Sequence, residues 1–85
     1  MPYKIVLSEN AALDLEDLDK AVESRIIRKL KSVAGNPQHA FVRLAGSKEQ
    51  KLRVGDYRVI AAILPQEKAV LITAIGHRKN IYKRR

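Results

Sequence analysis

Residues 51–58 read Lys-Leu-Arg-Val-Gly-Asp-Tyr-Arg, two extended runs that meet at Gly55-Asp56. Gly-Asp is one of the dipeptides that close a two-residue β-hairpin, because glycine accepts the positive φ of a type II′ turn. With that turn in place, Val54 pairs with Tyr57, Arg53 with Arg58, Leu52 with Val59 and Lys51 with Ile60. Side chains alternate along a strand, so Leu52, Val54, Tyr57 and Val59 share one face. Lys51, Arg53 and Arg58 share the other. Arg53 and Arg58 then stand opposite one another, a like-charge pair that weakens a sheet by up to about 1 kcal/mol. A hairpin tolerates this by turning both guanidinium groups into water or by holding them for an anion.

Downstream of the hairpin, Tyr57 to Leu64 is the more apolar run and is expected in the middle of a sheet. Pro65 to Lys68 reads as a turn, and Ala69 to Ile75 as the next strand. Setting Leu64 opposite Ala69 brings Ile60 opposite Thr73 and Arg58 opposite Ile75. A strand extended to His77 would put that side chain on the face of Arg58. Upstream, Phe41 to Leu44 forms a short strand that enters a turn at Ala45-Gly46-Ser47, and Asn36 to Ala40 is a loop that carries His39.

The first part of the chain alternates between two periods. Tyr3, Ile5 and Leu7 share one face of a strand, with Lys4 and Val6 on the other. Ser8 supplies an N-cap hydroxyl and Glu9 a negative charge at the positive end of a helix dipole. Ala11, Leu15 and Leu18 then mark a helix over residues 9–17, whose Asp14, Glu16 and Asp17 lie mostly on a solvated outer face. Asp19 caps a second helix with Val22, Ile26, Leu30 and Val33 as its buried stripe, widened by Ile27 and Ala34. Its outer side carries Arg25, Arg28, Lys29, Lys31 and Ser32, and Gly35 and Pro37 stop it.

Eighty-five residues make one small domain, spanning 1–85, with a thin core. Cysteine is absent, which removes disulfides, thiolate metal sites and thiol catalysis. No stretch has the pattern of a signal peptide or membrane span, so a cytoplasmic protein is expected. Residues 1–23 hold two basic and six acidic side chains, a net −4, whereas residues 24–85 hold fifteen and three, a net +12. That segregation suits a polyanionic partner, nucleic acid first and an acidic protein second. The tail from Arg78 to Arg85, RKNIYKRR, has five basic residues among eight, with Ile81 and Tyr82 as its apolar groups.

Taken together, the strand, the acidic-then-basic helical pair, the Asn36-Pro37 loop, VRLAG, KLRVGDYRVI and GHRKNIY resemble the RelE/ParE superfamily of toxin–antitoxin toxins, in particular its RelE-like members. The resemblance spans nearly the whole chain, and RVGDYRV and GHRKNIY are its most specific parts. It implies an α+β fold: an N-terminal strand, a two-helix hairpin, then a curved antiparallel sheet of three to four further strands with a short basic C-terminal tail or helix. It also implies a ribosome-dependent endoribonuclease that cuts mRNA in the A site without a metal or other cofactor. The implied partners are a RelB-like antitoxin, mRNA and ribosomal RNA. Lys51, Arg58, Arg78 and Tyr82 match the family's catalytic positions. Arg53 and Arg43 match basic positions that hold RNA, and Lys48, His77, Lys79 and Lys83 are further candidates for that task. Where well-studied members carry a second lysine, this chain has Glu49, so either Lys48 compensates or Glu49 transfers a proton.

RNA cleavage by an adjacent 2′-hydroxyl needs a proton acceptor, a donor for the leaving 5′-oxygen, and fixed positive charge around the phosphate. The sequence has no convincing histidine pair and no carboxylate cluster for magnesium, so cations must carry the load. Arg58, a planar fork that keeps its charge, suits the non-bridging oxygens. Clustered positive charge favours proton loss from a neighbouring phenol or ammonium, so Tyr82 or Lys51 is the candidate base and Arg78 or Lys51 the candidate partner of the leaving group. Two alternatives stand beside this one: a ParE-like inhibitor of DNA gyrase, and a basic RNA-binding module without catalysis. The latter has few aromatic residues for base stacking, namely Tyr3, Phe41, Tyr57 and Tyr82.

Overall fold

A computed structural model of the chain describes residues 2–44, 46 and 48–81. In order, its elements are β1 (Lys4–Leu7), α1 (Glu9–Glu16), α2 (Lys20–Val33), α3 (Pro37–Ala40), β2 (Val42–Arg43), β3 (Gln50–Val54), β4 (Tyr57–Leu64) and β5 (Ala69–His77). The strands make one sheet in the order β1-β5-β4-β3-β2. β1 runs parallel to β5, and every other pairing is antiparallel. The expected α+β architecture is therefore present, with the apolar β4 at the centre and four strands after the helices.

The helices form where the caps and stripes put them. Ser8 caps α1, its Oγ accepting from the Ala11 N–H at 3.1 Å. Asp19 is the N-cap residue of α2, without a side-chain cap bond. Ala11 and Leu15 of α1 and Ile26 and Leu30 of α2 pack on Leu52, Val54, Val59, Ala61, Val70, Ile72 and Ile75 of the sheet. Each large aliphatic side chain buried in this way contributes about 1.5–3 kcal/mol. α2 does not end in a left-handed glycine: only Gly46 and Gly55 among the described glycines have positive φ. Pro37 makes the stop instead, opening α3 where a loop was expected, since proline suits the first turn of a helix.

α1 also substitutes for a strand. β1 ends at Leu7, opposite Ile72, which leaves the far end of β5 without a neighbour on that side. Side chains of the helix take over. Ser8 Oγ and Asn10 Nδ2 each donate to the Thr73 carbonyl at 3.4 Å, and Asp14 Oδ2 accepts from the Ile75 N–H at 3.0 Å. Asp14 is 7% exposed, so the expectation of a solvated carboxylate fails there. Its position explains why: with Ala11 and Leu18 it falls at i, i+3 and i+7 on the inward stripe, and a buried backbone donor awaits it.

The hairpin register is the one expected, Val54 with Tyr57 through Lys51 with Ile60, and Gly55 has φ +60. The β4–β5 register starts as expected, with Leu64 opposite Ala69, and then shifts. Ala61 pairs with Ile72 but Ile60 with Ala74, so Thr73 is an extra residue in β5. Its hydroxyl lies 3.2 Å from the Ile60 carbonyl oxygen and 3.3 Å from Glu49 Oε2, sharing one proton between them. A bulge of one residue reverses the faces of everything beyond it. Arg58 therefore faces Gly76, not Ile75, and His77 faces Tyr57.

Candidate functional site

The sheet face away from the helices carries the cations. Two cross-strand rows define it: Val42, Lys51, Ile60 and Ala74, then Arg53, Arg58 and Gly76. Ile60 is fully buried without belonging to the helix-side core. With Ala62, Ala74 and Gly76 it makes an apolar floor, small except at Ile60 itself, on the face that carries the charged side chains.

Arg58 is half-buried and bends back over the turn, its Nη1 donating to the Tyr57 carbonyl at 3.1 Å and the Gly55 carbonyl at 3.3 Å. Those bonds fix the guanidinium at the end of the row. Arg53, opposite, is exposed, and Lys51 is half-buried. Glu49 lies on the same face by alternation, and its contact with Thr73 sets one carboxylate oxygen over the bulge. The Arg78 N–H donates to the Asp56 carbonyl at 2.8 Å, so the residue after β5 is tied to the hairpin turn, at the Arg58 end of the face.

Two candidates stand elsewhere. Arg43 pairs with Gln50, which puts it on the opposite face from Lys51. His77 does not share the face of Arg58, because of the bulge. Its ring meets Tyr57 edge-on, with centroids 5.4 Å apart and planes at 78°, and its Nδ1 accepts from the Lys79 N–H at 3.2 Å. It lines a cavity of about 350 Å³ with Asp14, Asp17 and Asn80, beside α1. Lys48 and Lys79 are exposed, while Tyr82 and Lys83 lie outside the described residues. Among the described residues no group of three or more His, Cys, Asp or Glu could hold a metal ion, and no helix is long and apolar enough to cross a membrane.

Asp14 and Thr73 are the residues that sequence reasoning did not single out. Asp14 had a signal, a carboxylate on an apolar stripe. Thr73 had only a weak one, a hydroxyl inside a nearly apolar strand.

Comparison with known proteins agrees with this fold. Residues 5–82 match the family described as ParE toxin of type II toxin-antitoxin system, parDE. A curated Escherichia coli protein described as a RelE-like toxin is 28% identical over 82 residues, covering 93% of this chain and 86% of the relative. In fold, the chain is similar to the toxin in the Mycobacterium tuberculosis RelBE2 toxin–antitoxin complex. That match has a TM-score of 0.83 and 21% identity, over 92% of this chain and 93% of the other. It is also similar to the intact E. coli RelBE complex, with a TM-score of 0.74 and 22% identity, over 88% of this chain and 95% of the other.

Proposed function

The chain belongs to the ParE toxin family of type II toxin–antitoxin systems, within the RelE/ParE superfamily, and from that premise we propose that it is a ribosome-dependent endoribonuclease cutting mRNA in the A site. The observation that carries this reading is the outward face of the sheet. Lys51, Arg53 and Arg58 stand there together on one face, with the Arg78 backbone tied to the adjoining turn.

The chemistry follows from the charges. A base removes the proton of the 2′-hydroxyl, the new O2′–P bond forms, and the P–O5′ bond breaks as an acid protonates O5′. The products are a 2′,3′-cyclic phosphate and a 5′-hydroxyl. Arg58 holds the non-bridging oxygens, where negative charge grows in the transition state. Its bonds to the turn carbonyls fix it beforehand, which is what electrostatic catalysis rewards. Tyr82 and Lys51 are the candidate bases, with Glu49 a further proton-transfer candidate, and Arg78 and Lys51 are the candidate partners of the leaving group. The chain's own cations supply the positive charge that such a phosphate requires, so the reaction is assigned no metal. A cognate RelB-like antitoxin is the proposed protein partner, by analogy with the toxin–antitoxin complexes of similar fold.

The test is Arg58→Ala with translating ribosomes, followed by mapping of message 3′ ends. Cleavage at A-site codons is expected from the natural chain and a fall of about 10²–10³-fold from the variant. Unchanged cleavage by a folded variant overturns the assignment. The match to a ParE family model is equally compatible with a second reading, a gyrase inhibitor. Supercoiling by gyrase in the presence of the same preparation decides it: arrest without message cleavage selects that branch.

A further inference from the structure

A second basic site lies around the sheet's edge from the first. α2 places Arg25, Arg28, Lys29 and Ser32 at i, i+3, i+4 and i+7, one face of a helix. They meet Arg53, Val54 and Gly55 across an open cleft of about 550 Å³. The edge is open there because β2 pairs with β3 only at Lys51 and Gln50. Arg25 reaches the turn with its guanidinium, its Nη2 2.8 Å from where a Cβ on Gly55 would sit. Four of the seven lining residues are cationic and none is acidic.

We propose that this cleft binds the phosphodiester backbone of RNA, as an anchor separate from the reacting phosphate. The proposal rests on the reading of the chain as a toxin that acts on RNA. An acidic peptide would supply the same charge, but peptide docking relies on apolar anchors in pockets. The lone aliphatic lining residue, Val54, is only 8% exposed. Backbone phosphates need no such anchor, and arginine forks suit them. Arg53 belongs to both sites, on the outward face by pairing and on the cleft by lining. One RNA strand therefore passes from the reacting site over the β3 edge into the cleft.

The experiment is titration of a fluorescein-labelled RNA hairpin with the full chain across a salt series, without ribosomes. The Arg28→Ala/Lys29→Ala variant is compared with Lys4→Ala/Lys20→Ala, which removes equal charge from exposed positions away from the cleft. Losing two phosphate contacts is expected to reduce the slope of log K against log salt by about 1.4–1.8 and to weaken binding about 25–60-fold at 0.1 M salt. The control pair is expected to leave the slope unchanged. An unchanged slope in the cleft variant overturns the proposal, as does an equal loss in both pairs. So does a loss confined to a polyglutamate probe, which would mark a peptide site. The titration reads binding alone, so cleft binding here with intact message in the ribosome assay refutes the nuclease reading and not the cleft.

Discussion

Asp14→Ala tests how α1 is fastened to the sheet. The carboxylate is 7% exposed and accepts from the N–H of Ile75, itself 1% exposed. A hydrogen bond to a charged group contributes about 1.5–3 kcal/mol, and its loss leaves a buried donor unsatisfied. For a chain of 85 residues, total stability is on the order of 4–13 kcal/mol, so the loss is a large share. About 2 kcal/mol corresponds to a drop in Tm of about 8–16 °C for a domain of this size. Asp14→Asn keeps an oxygen acceptor at the same place and should recover roughly half of the loss. Thermal and urea denaturation measure both variants, and amide hydrogen exchange locates the effect. The Ile75 amide should exchange faster in the alanine variant, while amides of the β3–β4 hairpin keep their protection relative to global unfolding. An alanine variant within about 0.5 kcal/mol of the natural chain, with Ile75 still protected, would refute this account of the α1–β5 junction.

Two substitutions in the hairpin separate stability from activity. Arg53→Glu replaces a like-charge cross-strand pair by an opposite-charge one, so it should raise stability by up to about 1 kcal/mol while lowering message cleavage; urea midpoints and 3′-end mapping on one preparation check both signs. Gly55→Ala should cost about 1–3 kcal/mol because of the positive φ, and pairing it with Arg25→Ala should not restore the loss. Arg25 meets the new methyl only with its terminal guanidinium, which can swing aside. Rescue by the double variant in a denaturation cycle would show that contact, not backbone conformation, sets the cost.

What was legible in the sequence was local. The hairpin turn, the Ser8 cap, the inward stripe of α2 and the central place of β4 each follow from a few neighbouring residues whose chemistry allows one outcome. What escaped is set by partners distant in the chain. β5 reads AVLITAIGH, and nothing in that apolar run says which residue is left out of the ladder. Thr73 is chosen because its hydroxyl can reach the Ile60 carbonyl and Glu49, groups on other strands. The same shift moved His77, placed by strict alternation on the wrong face. Arg43 shows a related limit: its face depends on pairing with Gln50, and the number of residues between the two does not fix the register. The pairing of β1 alongside β5 likewise has no signal in Tyr3 to Leu7 beyond their alternation.

A like-charge pair persists in a sheet when each member has somewhere else to direct its charge. Arg58 turns to the carbonyls of Gly55 and Tyr57, and charge-assisted bonds of that kind are roughly twice as strong as neutral ones. Arg53 is exposed at the β3 edge and also lines the cleft there. The repulsion of up to about 1 kcal/mol is thus offset on the Arg58 side by bonds already made. On the Arg53 side no hydrogen bond among the described residues offsets it. A phosphate bridging the row of Arg53 and Arg58 would relieve that side too, so RNA binding should gain from the same repulsion that folding tolerates. Arg53→Glu should therefore gain stability and lose RNA affinity together.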